Sequence, residues 1–129
     1  MATDLSTALK DYNLRLRTAG TPATVGTETG TGKQITKAKT TVRGYSQLQA
    51  TKLDLTTGNT YVIKFQESAA LGSGYADITG ATMTITAVGR KYVYFQLSGD
   101  KPYVRHVLTC SGGSSSYDGD IYIGDDDDI

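Results

Sequence analysis

The chain has 129 residues, no formal net charge at neutral pH, 38% hydrophobic residues, one cysteine and one histidine. That length fits one domain with an appendage. A lone Cys110 excludes an intramolecular disulfide, no apolar run approaches the ~20 residues of a membrane-spanning helix, and "MATDLSTALKDYNLRL" lacks the basic start and apolar core of a signal peptide. Synthesis in a reducing cytoplasm, and no membrane partner, is the expectation.

Twenty Thr, nine Tyr and fifteen Gly shift the prior towards strands punctuated by turns. Charge is unevenly placed. Residues 1–50 hold seven Lys/Arg against three Asp/Glu, and residues 51–129 hold six against ten, so a basic front half precedes an acidic end.

Thr3 or Asp4 can cap a helix in which Leu5, Leu9, Tyr12 and Leu16 recur at helical spacing, with Arg15 and Arg17 at its negative end and Gly20 and Pro22 to stop it. The spacing predicts an amphipathic helix over residues 4–18, its apolar stripe narrow enough to suit docking on a neighbour. The following stretch, "GTETGTGKQIT" at residues 26–36, has the look of a phosphate-binding loop but fails on its chemistry. A Gly at position 27 is needed before Gly32-Lys33 and Thr27 stands there; Gln34 replaces the metal-binding hydroxyl. Residues 19–34 therefore read as a Gly/Thr-rich arm without regular structure, so that residues 1–34 form helix and arm, 35–124 a β domain and 125–129 an acidic tail.

From Ile35 the period is two. "TYVIKFQ" sets Tyr61, Ile63 and Phe65 on one face, "TMTITAV" sets Met83, Ile85 and Ala87, and "KYVYFQL" sets Val93, Phe95 and Leu97 against outward Tyr92 and Tyr94. "YVRHVLT" and "DIYIG" read as further strands, and an earlier one is expected between about residues 40 and 55, broken near Gly44. A turn at residues 88–91 is expected to close a hairpin. The fold expectation is a small antiparallel β-barrel or sandwich; between residues 55 and 108 the strand order resembles that of an SH3-like barrel.

No catalytic, cofactor or metal set assembles from these residues. His106 and Cys110 share a strand face but lie ~13 Å apart at strand rise, so His106 reads as a structural histidine, and Cys110 has no second histidine to activate it. The six carboxylates of "DGDIYIGDDDDI" lack the order of a calcium loop and read as a solvated acidic end. Outward Tyr92 and Tyr94 with Arg90 and Lys91 nearby suit either a single-stranded nucleic acid or a protein partner. The net negative β half and the acidic tail weigh against phosphate, which leaves the protein interface as the expectation and a small nucleic-acid-binding barrel as its rival. An enzyme or ligand-binding subunit completed by a partner is the third reading. The expected partner-binding residues are Leu5, Leu9, Tyr12, Leu16, Lys33, Lys37, Lys39, Arg43, Tyr92, Tyr94 and Tyr122.

With its "MATDL" start, the polar arm "AGTPATVGTETGTGK" and its wealth of Thr, Gly and Tyr, the whole chain resembles the small structural proteins of tailed-phage virions, capsid decoration or cement proteins above all. The resemblance implies a non-enzymatic virion protein made in the host cytoplasm, without cofactors, homo-oligomeric and foremost trimeric, clamping neighbouring capsid subunits. Another virion component, of neck, tail or head fibre, is the alternative. No residue roles are carried over by it.

Overall fold

A computed structural model describes residues 15–35, 41–48, 52–98 and 100–125. These residues form nine strands: β1 Arg15–Arg17, β2 Gly26–Thr29, β3 Lys33–Gln34, β4 Thr41–Leu48, β5 Thr60–Ser68, β6 Ala76–Thr84, β7 Gly89–Gln96, β8 Tyr103–Ser111 and β9 Asp120–Asp125. No helix occurs among them, and so none long and apolar enough to cross a membrane.

The strands make two antiparallel sheets in a sandwich-like arrangement, not a closed barrel. The front sheet runs β1-β9-β4-β7; the back sheet runs β2-β8-β5-β6, with β3 also on β8. The chain passes between sheets four times after β4, because β5, β6 and β8 belong to the back and β7 and β9 to the front. The hairpin expected at residues 88–91 is thereby corrected: β6 and β7 are sequence neighbours in different sheets, and β7 pairs with β4 instead. With that pairing goes the SH3-like order.

The core lies between the sheets and comes from the period-two pattern. Tyr61, Ile63, Phe65, Met83, Ile85, Phe95 and Leu97 are buried as the alternation predicts, and Val93 packs partly buried against them. Val42, Ile121 and Ile123 from the front sheet and Val104 and Leu108 from the back complete the layer. Phe65 and Phe95 stack across it at 5.2 Å between centroids. Gly44 does not break a strand. It sits inside β4, facing the Phe65 ring so closely that a Cβ there would lie 2.5 Å from Cζ. Only a residue without a side chain lets ring and strand approach this far.

The N-terminal segment departs from expectation. The proposed helix positions 4–14 lie outside the described residues, and residues 15–17, expected as its last turn, are strand β1 on the edge of the front sheet. A register shift between Arg15 and Arg17 lets both Leu16 and Arg17 turn inward, at 7% and 8% exposure. The arm expected over residues 19–34 supplies β2 and β3, which lie end to end along one edge of β8. Thr29 pairs with Val107 and Lys33 with Val104, so residues 30–32 face only two residues of β8, a one-residue bulge. The glycines of the loop-like sequence serve that bulge: a Cβ on Gly30 would collide with the His106 ring.

Candidate interaction face

The outer surface of the front sheet is the candidate site. Alternation on β4 sends Val42, Ser46 and Leu48 into the core and Arg43, Tyr45 and Gln47 outward. Register then sets side chains in rows. Arg15 of β1, Tyr122 of β9, Tyr45 of β4 and Tyr92 of β7 form one row; Arg43 and Tyr94 begin the next; Asp120, Gln47 and Arg90 make the third. Tyr45 stacks on Tyr122 at 4.8 Å and 11°, and lies 6.0 Å from Tyr92. Tyr92 and Tyr94 meet edge to face at 5.5 Å. The Arg43 guanidinium lies 5.1 Å from the Tyr92 centroid and 4.8 Å from that of Tyr94, and Arg90 covers Tyr45 at 5.4 Å. Such arginine-on-ring pairs hold the planar cation in place through the ring quadrupole, and Arg43 is itself buried, at 8% exposure.

Burial within this layer is graded. Tyr45 is fully covered and Tyr122 is 7% exposed, whereas Tyr92 and Tyr94 stand 47% and 51% exposed. Desolvation raises the phenol pKa of both Tyr45 and Tyr122 above its ordinary value. Six large hydrophobic side chains are exposed among the described residues; only these two tyrosines lie on a strand, the other four being in loops. Arg15 reaches Asp120 at 3.9 Å at the corner of the face.

Of the residues expected to bind a partner, Arg43, Tyr92 and Tyr94 are brought together here. Tyr122 shares their face, but its expected exposure is corrected: it is the covered floor on which Tyr45 rests, its hydroxyl donating to Gln47 at 3.1 Å. Leu16 is likewise corrected, from a docking stripe to a core residue. Lys33 is exposed on β3 at the edge of the back sheet, away from this face. Leu5, Leu9, Tyr12, Lys37 and Lys39 lie outside the described residues. Tyr45 and Gln47 escape the sequence reading, although "TVRGYSQL" alternates as regularly as the strands that it does place.

A second polar cluster joins the two sheets at the β1–β2 edge. The Arg17 Nε and the His106 Nε2 both lie 2.7 Å from the same Glu28 Oε2. Arg17 also donates from Nη1 to the Gly119 carbonyl and from Nη2 to that of Thr21, each at 2.8 Å. Its guanidinium lies 5.3 Å over the Tyr117 ring, and the Tyr117 hydroxyl meets Ser46 Oγ at 2.6 Å. Burial pushes the Tyr117 phenol up to about 12. Burial raises the Glu28 carboxyl, but the hydrogen bonds from Arg17 and His106 outweigh it and leave its pKa lowered; burial lowers that of His106. At the opposite edge a cleft of about 500 Å³ lies between β6 and the end of β7, lined by Glu67, Asp77 and Ser98 among others. Its carboxylates are engaged: Glu67 accepts from the Ser98 amide and hydroxyl, Asp77 from Gln66 and Lys64.

No family model matches the chain, and no curated protein matches it.

Proposed function

We propose that the protein is a non-enzymatic structural component of a phage particle, a decoration or cement protein that binds neighbouring capsid subunits through the outer face of its front sheet. The observation that carries this reading is the pair Tyr92 and Tyr94, half exposed side by side on β7 with the Arg43 guanidinium over both rings. Tyrosine and arginine are the residues that protein contacts favour, because they bring area at low entropy cost and a polar tip that stays satisfied. A monomer gains nothing from leaving such a pair uncovered. The whole-chain resemblance to virion structural proteins supplies the particle; a homo-oligomer, foremost a trimer, is the assembly proposed for it.

A single-stranded nucleic acid could stack on the same rings beside the same arginines. The sequence ends in four consecutive Asp, 125 to 128, and that acidic run weighs against a phosphate partner. The test is co-sedimentation with shells of the encoding phage, comparing wild type with Tyr92→Ser/Tyr94→Ser. Binding by the wild type and a loss of at least about tenfold in the variant, roughly 1.4 kcal/mol, supports the reading. Unchanged binding by the variant, or wild-type binding to single-stranded DNA and not to shells, overturns it.

A further inference from the structure

We propose that His106 is an acid-sensitive latch that holds β2 and β3 on the edge of β8 at neutral pH and releases them when its ring is protonated. The latch is independent of the function proposed above.

Alternation along β8 points Val104, His106, Leu108 and Cys110 into the sandwich. His106 is 2% exposed. Its Nε2 faces the Glu28 carboxylate at 2.7 Å, and a carboxylate can only accept, so the neutral ring carries its proton on Nε2. Its Nδ1 is buried against Gly30 and has no hydrogen-bond partner among the described residues. A bare nitrogen lone pair tolerates that position. An N–H does not, because protonation places a charged donor where the described residues offer no acceptor.

The surroundings relieve the imidazolium only in part: burial opposes it, the Glu28 carboxylate favours it, and burial prevails. From β2 comes Glu28, one oxygen of which is already shared with the Arg17 guanidinium. From β1 comes Arg17 itself, a like charge. On β8, Cys110 is buried with its pKa raised, and Tyr117, from the loop before β9, is a neutral phenol throughout this range. The residue opposite on β5 is Phe65, which is apolar. The imidazolium reaches water most readily if the backbone covering its Nδ1 lifts, and that backbone is the bulge at Gly30, whose amide donates to the His106 carbonyl at 3.0 Å. The folded pKa lies below the ordinary value, so the stabilisation is whole above about pH 6.5 and fades as pH falls from there towards the folded value. Glu28, whose pKa is also lowered, adds to acid lability only below its ordinary 4.5. The other anchors of this segment are the Ala19 amide on Asp120 and the Gly20 amide on Asp118, the second of which holds the Asp118 carboxyl below its ordinary value, so β1 is held while β2 and β3 open.

The test is hydrogen–deuterium exchange by NMR on the full chain at pH 7.5 and 5.0, corrected for intrinsic exchange. The amides of Gly30 and Ile35, which bond β8 and the Pro102 carbonyl, report the latch; that of Ile85, on the Tyr61 carbonyl, reports the core. Linkage across the 1.5 pH units below the free histidine value allows a drop in Gly30 and Ile35 protection of up to about 30-fold, with Ile85 unchanged. His106→Gln, which keeps a donor for Glu28 but cannot be protonated, is expected to abolish that difference. Should the variant not fold, ring nitrogen shifts of the wild type decide: the Nε2–H tautomer persists while Gly30 is protected, and ring protonation coincides with its exposure. Equal protection at both pH values, the same loss in His106→Gln, or an imidazolium beneath a still-protected Gly30 overturns the proposal.

Discussion

Replacing Gly44 with alanine adds one methyl group where β4 of the front sheet meets the Phe65 ring of the back sheet. The added carbon would stand 2.5 Å from Phe65 Cζ and 3.0 Å from Cδ2. Carbon atoms pack at ~3.5–4.0 Å, so the shortfall is about 1 Å. The ring has no room to withdraw, being fully buried and stacked on Phe95 at 5.2 Å. Overpacking of this kind costs ~1–3 kcal/mol. The lost flexibility of the unfolded chain returns ~0.4–1 kcal/mol, since Gly44 does not have a positive φ. The net expectation is a destabilisation of about 1–2 kcal/mol. With a urea m-value of ~1–3 kcal/mol/M, the midpoint falls by roughly 0.3–2 M. Equilibrium unfolding followed by circular dichroism reads it. Phe65→Leu removes the ring edge, and in that background Gly44→Ala is expected to be neutral or stabilising, a coupling of about 1 kcal/mol or more. Wild-type stability in Gly44→Ala, or an equal loss in both backgrounds, would refute the packing argument.

Phe95→Ala, which empties the other half of the ring stack, is expected to cost ~3–5 kcal/mol; a loss under ~1 kcal/mol in the same assay would mean that β7 presents its other face. Arg17→Met leaves Glu28 with His106 as its one remaining donor among the described residues, and the Gly119 and Thr21 carbonyls without the guanidinium. Because Arg17 is buried but Glu28 is about one-third exposed, the expected loss is near ~3 kcal/mol, the low end for a broken buried pair, and thermal unfolding unchanged from wild type would contradict it. Ultraviolet titration should show one tyrosine ionising near pH 12, that of Tyr117, with stability whole below pH 10 and fading above it; its loss in Tyr117→Phe identifies the residue, and a spectrum unchanged by that substitution would exclude the assignment.

The strands that alternate over seven or more residues are legible in the amino-acid sequence alone. Tyr61, Ile63 and Phe65 face the core because period two forces one face inward, and the same rule puts Tyr92 and Tyr94 outside. What is illegible depends on pairing across the chain. "GTET" has a loop's composition and becomes a strand only because it lies on β8, about eighty residues later. Leu16 follows Tyr12 at helical spacing, yet the register shift on β1 decides its burial, and no local signal encodes that shift. Tyr122 points outward as its alternation says. It is covered because Arg15 and Tyr45 flank it in the same cross-strand row and the Tyr45 ring stacks on it, a fact of register and not of sequence. The cluster of Arg17, Glu28 and His106 is hidden for the same reason: three residues from three strands, each unremarkable in its own segment.

The interaction face is tested most sharply by hydroxyl-radical footprinting of the tyrosines, free and bound to shells of the encoding phage. Tyr92 and Tyr94 react readily in the free protein because they are half exposed, and binding is expected to protect both. Tyr75 and Tyr103, partly exposed on the back-sheet side, should keep their reactivity. Undiminished labelling of Tyr92 and Tyr94 on the particle, with protection of Tyr75 or Tyr103 instead, would show that the front sheet is not the face that binds.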